Sequence, residues 1–149
     1  MKPLRHSLML SLAFIASVAA LAQQSIPPAA LTAKTIAIRN DTKTGEVPDG
    51  ALEQLKRWGH FTVVDDTDTA DIVLRFDKKT DREKQSSQST NNDGTTSYSG
   101  GMTFSSQVHM RAYLKGADSP FYTTKTDDSK KKAGVSCVTS FQKAWNEAR

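Results

Sequence analysis

Five stretches of the chain carry patterns of hydrophobic and polar residues that predict β-strands. They are 34–41, 61–64, 72–76, 102–115 and 121–126. In the longest stretch, apolar side chains on one side alternate with polar ones on the other. The apolar side has Phe104, Val108, Met110, Ala112 and Leu114, and the polar side includes Gln107, His109, Arg111 and Tyr113. This alternation is typical of a sheet with one buried face and one solvent-facing face.

Two further stretches repeat apolar residues every three or four positions, as amphipathic helices do. The first covers about 50–58, with Asp49 as the expected N-cap and Gly59 just beyond its end. The second covers about 133–148 and carries Phe141 and Trp145 on its apolar stripe. Cys137, the single cysteine, lies on the same stripe. We therefore expect Cys137 to be a core residue rather than a nucleophile, and we expect no internal disulfide.

The elements follow the order β-α-β-β-(long loop)-β-β-α. This order predicts an α+β fold over 34–149, with a single, mostly antiparallel sheet of about five strands and two helices packed on one face. The preceding segment, 23–33, contains two adjacent prolines and predicts an extended leader. Segment 78–101 has Tyr98 as its only large aromatic residue and is otherwise rich in polar residues. It predicts a mobile loop, or else the arms of a hairpin with its tip at 92–94.

The first 22 residues have the three parts of a secretory signal peptide in the usual order. Lys2 and Arg5 form a positive start, 8–20 is an apolar run, and Ala20 and Ala22 mark a cleavage site after Ala22. The run is shorter than the roughly 20 residues that a membrane span requires. No cysteine follows the cleavage site, so no lipid anchor is expected there. We predict a mature protein in the periplasm or outside the cell, without a transmembrane segment.

The formal net charge of +4 overstates how basic the mature protein is. Two of the 20 basic residues belong to the predicted signal peptide, which leaves 18 basic residues against 16 acidic ones. A nearly balanced charge gives no electrostatic reason to expect nucleic acid as a partner. The same balance gives no electrostatic reason to expect an anionic membrane as a partner.

The acidic turn 65–71 is the first candidate for chemistry. Its four aspartates could supply oxygen ligands to Ca²⁺, but the turn lacks the glycine and glutamate positions of the EF-hand loop, and aspartate is also an ordinary turn residue. His60 and His109 have no second ligand at metal-binding spacing. Ser136 precedes Cys137 without the pattern of a nucleophile elbow. We expect no catalytic residue, no metal and no cofactor.

Residues 35–76 resemble the N-terminal half of small bacterial envelope modules. The carrying features are TIAIRND, LEQLKRWG, HFTVVDD and TADIVLRF, in this order. They are similar to modules related to the curli-secretion subunit and to penicillin-binding-protein activator lipoproteins. The resemblance implies an assembly or accessory domain with no catalytic residues to carry over. The missing lipoprotein cysteine departs from those families and puts membrane tethering in doubt.

Together, these features predict a non-enzymatic exported domain that binds an envelope protein or another macromolecule. The predicted contact residues are the polar side of the longest strand: Gln107, His109, Arg111 and Tyr113. Two alternatives remain open. One is a small exported hydrolase that uses the acidic turn, or His109 with a loop acid. The other is a binder of metal or of an anionic ligand.

Overall fold

The computed structural model describes residues 24–90 and 96–149. The predicted signal peptide, 1–22, and the predicted hairpin tip, 92–94, lie outside this range. The elements are α1 (Pro28–Leu31), β1 (Thr35–Asn40), α2 (Glu46–Trp58), β2 (Thr62–Val63), β3 (Ile72–Thr90), β4 (Thr96–Leu114), β5 (Tyr122–Thr126) and α3 (Lys130–Glu147). The five strands form one sheet, which confirms the predicted α+β class.

The sheet has the order β2-β1-β3-β4-β5 and is mixed. Strand β1 is parallel to both of its neighbours, β2 and β3, whereas β3, β4 and β5 are successively antiparallel. The parallel β1–β2 pair requires a crossover connection, which α2 provides. The sheet is thus less uniformly antiparallel than the order of elements predicts. The long β3–β4 pair still makes antiparallel pairing the larger part of the sheet.

Three boundaries differ from those that the sequence predicts. Helix α2 begins at Glu46 with Gly45 as its N-cap, so Asp49 lies in the first turn instead of capping it. Helix α3 begins at Lys130, one turn earlier than expected. The predicted extended leader, 23–33, contains the one-turn helix α1, in which proline opens the turn and Ala30 is fully buried against the core. This tertiary contact is not encoded in the local pattern.

Segment 78–101 does not lack secondary structure, because its described residues are the arms of a hairpin. Strands β3 and β4 stay paired from Ile72 opposite Leu114 to Thr90 opposite Thr96. Strand β1 accompanies β3 only to Phe76, and β5 accompanies β4 only to Val108. In the described part of the chain, the outer arms therefore pair with each other alone. The hairpin alternative is the one that the structure has, and the mobility of this segment stays a prediction.

The core lies between one face of the sheet and the helices α2 and α3. Alternate residues of β1, β3 and β4 contribute to it, and the fully buried ones are Ile36, Ile72, Leu74, Phe76, Met110 and Ala112. From α3, the stripe predicted from sequence is buried as expected: Cys137 is 1% exposed and Trp145 is 0% exposed. No helix in the described ranges is long and apolar enough to cross a membrane.

Two glycines allow α2 and α3 to approach very closely. A Cβ atom on Gly50 would lie 1.9 Å from the carbonyl oxygen of Lys131, and one on Gly134 would lie 2.0 Å from that of Val47. Real Cβ atoms essentially never come this close to backbone atoms. The two backbones therefore touch at a point where no other residue fits.

Candidate binding face of the sheet

The sheet face opposite α2 and α3, here called the open face, carries the odd-numbered residues within 35–39 of β1, 73–79 of β3 and 105–113 of β4. No helix that the structure describes packs on it. The four residues predicted as a contact surface, Gln107, His109, Arg111 and Tyr113, all lie on this face and are partly exposed. Their role as a binding site stays a prediction.

Three arginines form a row across the middle of the open face. Arg39 on β1 is the register partner of Arg75 on β3, which is in turn the partner of Arg111 on β4. Like charges directly opposite one another on adjacent strands destabilise a sheet. The row is therefore costly unless neighbouring acids or a ligand compensate the charge.

Two aspartates supply this compensation in part. Asp41 Oδ2 lies 2.5 Å from Arg75 Nε, and its Oδ1 lies 3.7 Å from Arg39 Nε. Asp77 Oδ1 lies 2.9 Å from Arg111 Nη1. The hydrogen bond from Arg75 to Asp41, together with the charge of Asp41, raises the pKa of the Arg75 guanidinium above its ordinary value. Arg111 has its own carboxylate, whereas Arg39 and Arg75 share one.

A groove of about 530 Å³ begins at Arg39 and Arg75 and follows the open face toward the start of β3. Its floor includes Arg39, Arg75, Val73 and Tyr113. Val73 and Tyr113 are register partners, and Val73 also pairs with the fully buried Ala37. The rim consists of Thr67, Asp68 and the turn that follows β4, 114–118. The groove thus combines cationic, aromatic and acidic groups along one line.

The remaining two predicted contact residues lie farther along the open face. Gln107 Nε2 donates a 2.8 Å hydrogen bond to Asp127 Oδ1. His109 is the register partner of Asp77 on one side and of Lys125 on the other. Both residues lie beyond the arginine row, on the side toward the hairpin. The open face is therefore a continuous polar surface from the groove to the base of the hairpin.

The acidic turn 65–71 has a structural role. Asp71 Oδ2 accepts hydrogen bonds from the backbone N–H groups of Lys34 (2.9 Å) and Thr35 (3.0 Å), and its own N–H donates to Thr35 Oγ1. These bonds fix the start of β1 beside the start of β3, and they lower the pKa of the Asp71 carboxyl. Asp66 Oδ1 accepts from the Asp68 N–H within the turn. Among the described residues, no three His, Cys, Asp or Glu side chains cluster as a metal site would require.

His60 and His109, the histidines within the described residues, lie on opposite sides of the sheet, so they do not form one site. His60 stacks on Trp58 with ring centroids 5.4 Å apart and meets Trp145 edge-on at the same distance, within the helical layer. Burial, and secondarily the charge of Arg149, lowers the pKa of His60. His109 belongs to the open face. The structure therefore separates the two groups that a histidine-based site would have to combine.

Cys137 and Ser136 also have structural surroundings. Burial raises the pKa of the Cys137 thiol to about 12, which leaves it protonated and unreactive at neutral pH. Ser136 Oγ donates a 2.6 Å hydrogen bond to Asp128 Oδ2, just ahead of α3. Both residues thus stabilise the packing and start of α3.

Sequence reasoning identified the polar side of β4 but missed Arg39 and Arg75. Both stand at polar positions of alternating strands, which was a visible signal. Their alignment with Arg111 depends on the strand order and register, which no local pattern contains. The groove rim at 67–68 and 114–118 was missed for the same reason.

No family model matches the chain. No curated protein matches it either. Similar solved structures include a PDZ domain protein from Parabacteroides distasonis, at a TM-score of 0.38 and 14% identity over 71% of this chain. The chain spans only 30% of that protein.

Two other similar structures are matched over most of their length. One is a PelC variant from Paraburkholderia phytofirmans, a dodecamer, with a TM-score of 0.44 and 14% identity over 81% of this chain and 92% of that one. The other is the rare lipoprotein B from Shewanella oneidensis, with a TM-score of 0.36 and 16% identity over 77% and 86%. All three are weak likenesses, with TM-scores of 0.36 to 0.44. They identify neither a family nor a partner.

Proposed function

We propose that this protein is a non-enzymatic, exported domain that binds a macromolecular partner in the bacterial envelope through the open face of its sheet. The signal-peptide pattern at 1–22 supports export to the periplasm or beyond, with cleavage after Ala22 and no lipid anchor. The resemblance of 35–76 to envelope accessory modules supports a role in assembly or binding.

The observation that carries the proposal is the contrast between the two faces of one sheet. One face is closed by α2 and α3, and six of its side chains from β1, β3 and β4 are fully buried. The other combines a row of three arginines, a tyrosine and a groove of about 530 Å³ in a partly exposed surface. Arginine and tyrosine are enriched in protein interfaces because each combines a large contact area with directional hydrogen bonding.

The geometry gives less support to the hydrolase alternative. Hydrolysis by a histidine base requires a nucleophile or an oriented water together with an orienting acid. His60 packs among aromatic rings, and Asp71 is engaged by the backbone of β1. Of the groups named for hydrolysis, His109 and Asp68 belong to the open face, but the arginine row lies between them. The register partners of His109 are Asp77 and Lys125. Asp77 already pairs with Arg111.

Site-specific photocrosslinking in living cells tests the proposal. A photoreactive amino acid at position 113, on the open face, should yield a defined crosslinked species in the periplasmic fraction. The same group at Lys143, an exposed position of α3, is the matched control and should yield none. The substitution His109→Ala should weaken the crosslink from position 113 without lowering the melting temperature. Equal crosslinking from the two faces, or none from position 113, would refute binding through the open face.

A further inference from the structure

Arg39 and Arg75 are an under-compensated cationic pair at one end of the groove. They are direct register partners on adjacent strands, and both contact the same carboxylate, Asp41, through their Nε atoms. The Arg39 contact is 3.7 Å long, which is beyond ordinary hydrogen-bond distance. One carboxylate therefore contacts both guanidinium groups, while Asp77, which also acts on Arg75, is paired with Arg111.

Both guanidinium groups are accessible to a ligand. The side chain of Arg39 is 57% exposed and that of Arg75 is 42% exposed, and both line the groove. Because each arginine is directed at Asp41 by Nε, its two Nη groups are available to a further acceptor. A paired set of N–H donors of this kind matches the two oxygens of a carboxylate.

The pair is difficult to explain by stability. Two adjacent arginines repel one another, and exposed ion pairs such as those with Asp41 contribute little to folding. A neutral polar residue at position 39 should therefore leave the free energy of unfolding nearly unchanged. Residues that are unfavourable for folding, such as like charges side by side on adjacent strands, are expected at functional sites when nothing in the structure compensates them.

The other end of the groove indicates what kind of molecule would carry the acceptor. Asp68 and Asp118 stand at the rim beside Lys115, and Val73 and Tyr113 form an apolar floor between the rim and the arginines. Acids at one end disfavour a uniform polyanion, which would be repelled there. A polypeptide with an acidic group, an apolar side chain and mixed charge matches the order of cationic, apolar and acidic groups along the groove.

We propose that Arg39 and Arg75 form a carboxylate-binding subsite that receives an acidic side chain of a protein partner, with an adjacent apolar group of that partner over Val73 and Tyr113. This inference rests on the proposed function and specifies the chemistry of the partner. Asp41 acts as the positioning residue that orients the two guanidinium groups.

Titration of the purified protein with sodium acetate, followed by NMR of the arginine Nε–H signals, tests the subsite. Acetate should shift the signals of Arg39 and Arg75 saturably, whereas sodium chloride at equal ionic strength should not. Acetate should also shift the backbone amide signal of the neighbouring Tyr113 saturably. The double substitution Arg39→Gln, Arg75→Gln should abolish this shift. The control Arg57→Gln, an arginine of α2 paired with Glu53, should leave the shift unchanged. Equal responses to acetate and chloride, or a saturable response of Tyr113 that survives the double substitution, would overturn the proposal.

A titration with sodium phosphate distinguishes a carboxylate ligand from a phosphate ligand, and the crosslinking assay distinguishes failure of this subsite from failure of the proposed function. A saturable response to sodium phosphate but not to acetate would refute a carboxylate ligand. In cells, the double substitution should reduce the crosslink from position 113 at least tenfold. An undiminished crosslink would refute this subsite and leave binding through the open face intact, because the proposed function requires the face and not these two arginines.

Discussion

The two faces of the sheet are built from alternate residues of the same strands, yet they obey different constraints. On the helix-covered face, Leu74 and Met110 are fully buried among the side chains of α2 and α3. On the open face, their neighbours Arg75 and Arg111 belong to a row of like charges with too few counter-ions. One face is optimised for packing, and the other retains a feature that packing and stability do not require.

Substitutions on the two faces should therefore change different properties of the protein. A side chain lost from the covered face leaves a cavity that the helices cannot fill, so stability should fall. A charge lost from the open face removes repulsion as well as attraction, so stability should barely change. Binding through the open face should instead weaken when a charge is lost from that face. It should be unaffected by substitutions on the covered face that leave the protein folded.

Trp145→Ala should have the largest effect on stability. The indole is fully buried and meets the rings of Phe61, Phe141 and Trp58 at centroid distances of 5.0, 5.6 and 6.1 Å. Its removal should lower the free energy of unfolding by roughly 3–5 kcal/mol, because a large cavity remains. Chemical denaturation measures this loss. Lys143→Ala, a change at an exposed position of the same helix, is the control and should be nearly neutral. An unchanged midpoint for Trp145→Ala would contradict the packing of α3.

Gly134→Ala should be the next most damaging change. Its added methyl would meet the backbone of Val47 at 2.0 Å and of Ala51 at 2.6 Å, so the helices would have to separate. Overpacking of this kind costs about 1–3 kcal/mol. The control is Gly101→Ala, where no atom lies within 4 Å of the added methyl. Equal melting temperatures for the two variants would show that α2 and α3 are not in backbone contact at this point.

Asp71→Asn should have a smaller, pH-dependent effect. The folded state holds the pKa of Asp71 below its ordinary value of 3.8, so the unfolded chain binds the proton more readily. The stability from this group is therefore complete above about pH 4 and is lost as the pH falls through the lower folded-state pKa. Asp71→Asn should lower the melting temperature at pH 7 and make it fall less steeply below pH 4.

Asp65→Asn, an exposed change in the same turn, is the control for this pH dependence. It should preserve the wild-type melting temperature at pH 7. Asp128 also has a lowered pKa, chiefly from its hydrogen bond with Ser136, so part of the acid dependence should survive in Asp71→Asn. If Asp71→Asn and the wild-type protein gave the same profile from pH 7 to pH 2, Asp71 would not fix the start of β1.

Arg39→Gln should have the smallest effect on folding. The residue is mostly exposed and repels Arg75, so the free energy of unfolding should stay within about 0.5 kcal/mol of the wild-type value. The melting temperature measures this directly, with Arg57→Gln on α2 as the matched arginine control. A clear loss of stability for Arg39→Gln would give Arg39 a structural role and remove the contrast between the two faces.

Much of the architecture could be predicted because it depends on local patterns. The alternation around Met110 identified β4 and its two faces, and the spacing of Cys137, Phe141 and Trp145 identified the buried side of α3. The α1 turn was missed because Ala30 is held by a distant core. Gly50 and Gly134 were not recognised as contact points, because glycine carries no side-chain pattern and the contact joins residues far apart in the chain.

The sequence by itself determined the strands, the helices and which side of each element is apolar, since these follow from the periods of the backbone and the cost of leaving apolar surface in water. Only the tertiary structure decided that β1 lies between β2 and β3, and that Arg39, Arg75 and Arg111 therefore align. Strand order and register are set by the packing of the whole core, which sums over distant contacts. The candidate site is a product of that packing, and no single segment of the chain contains it.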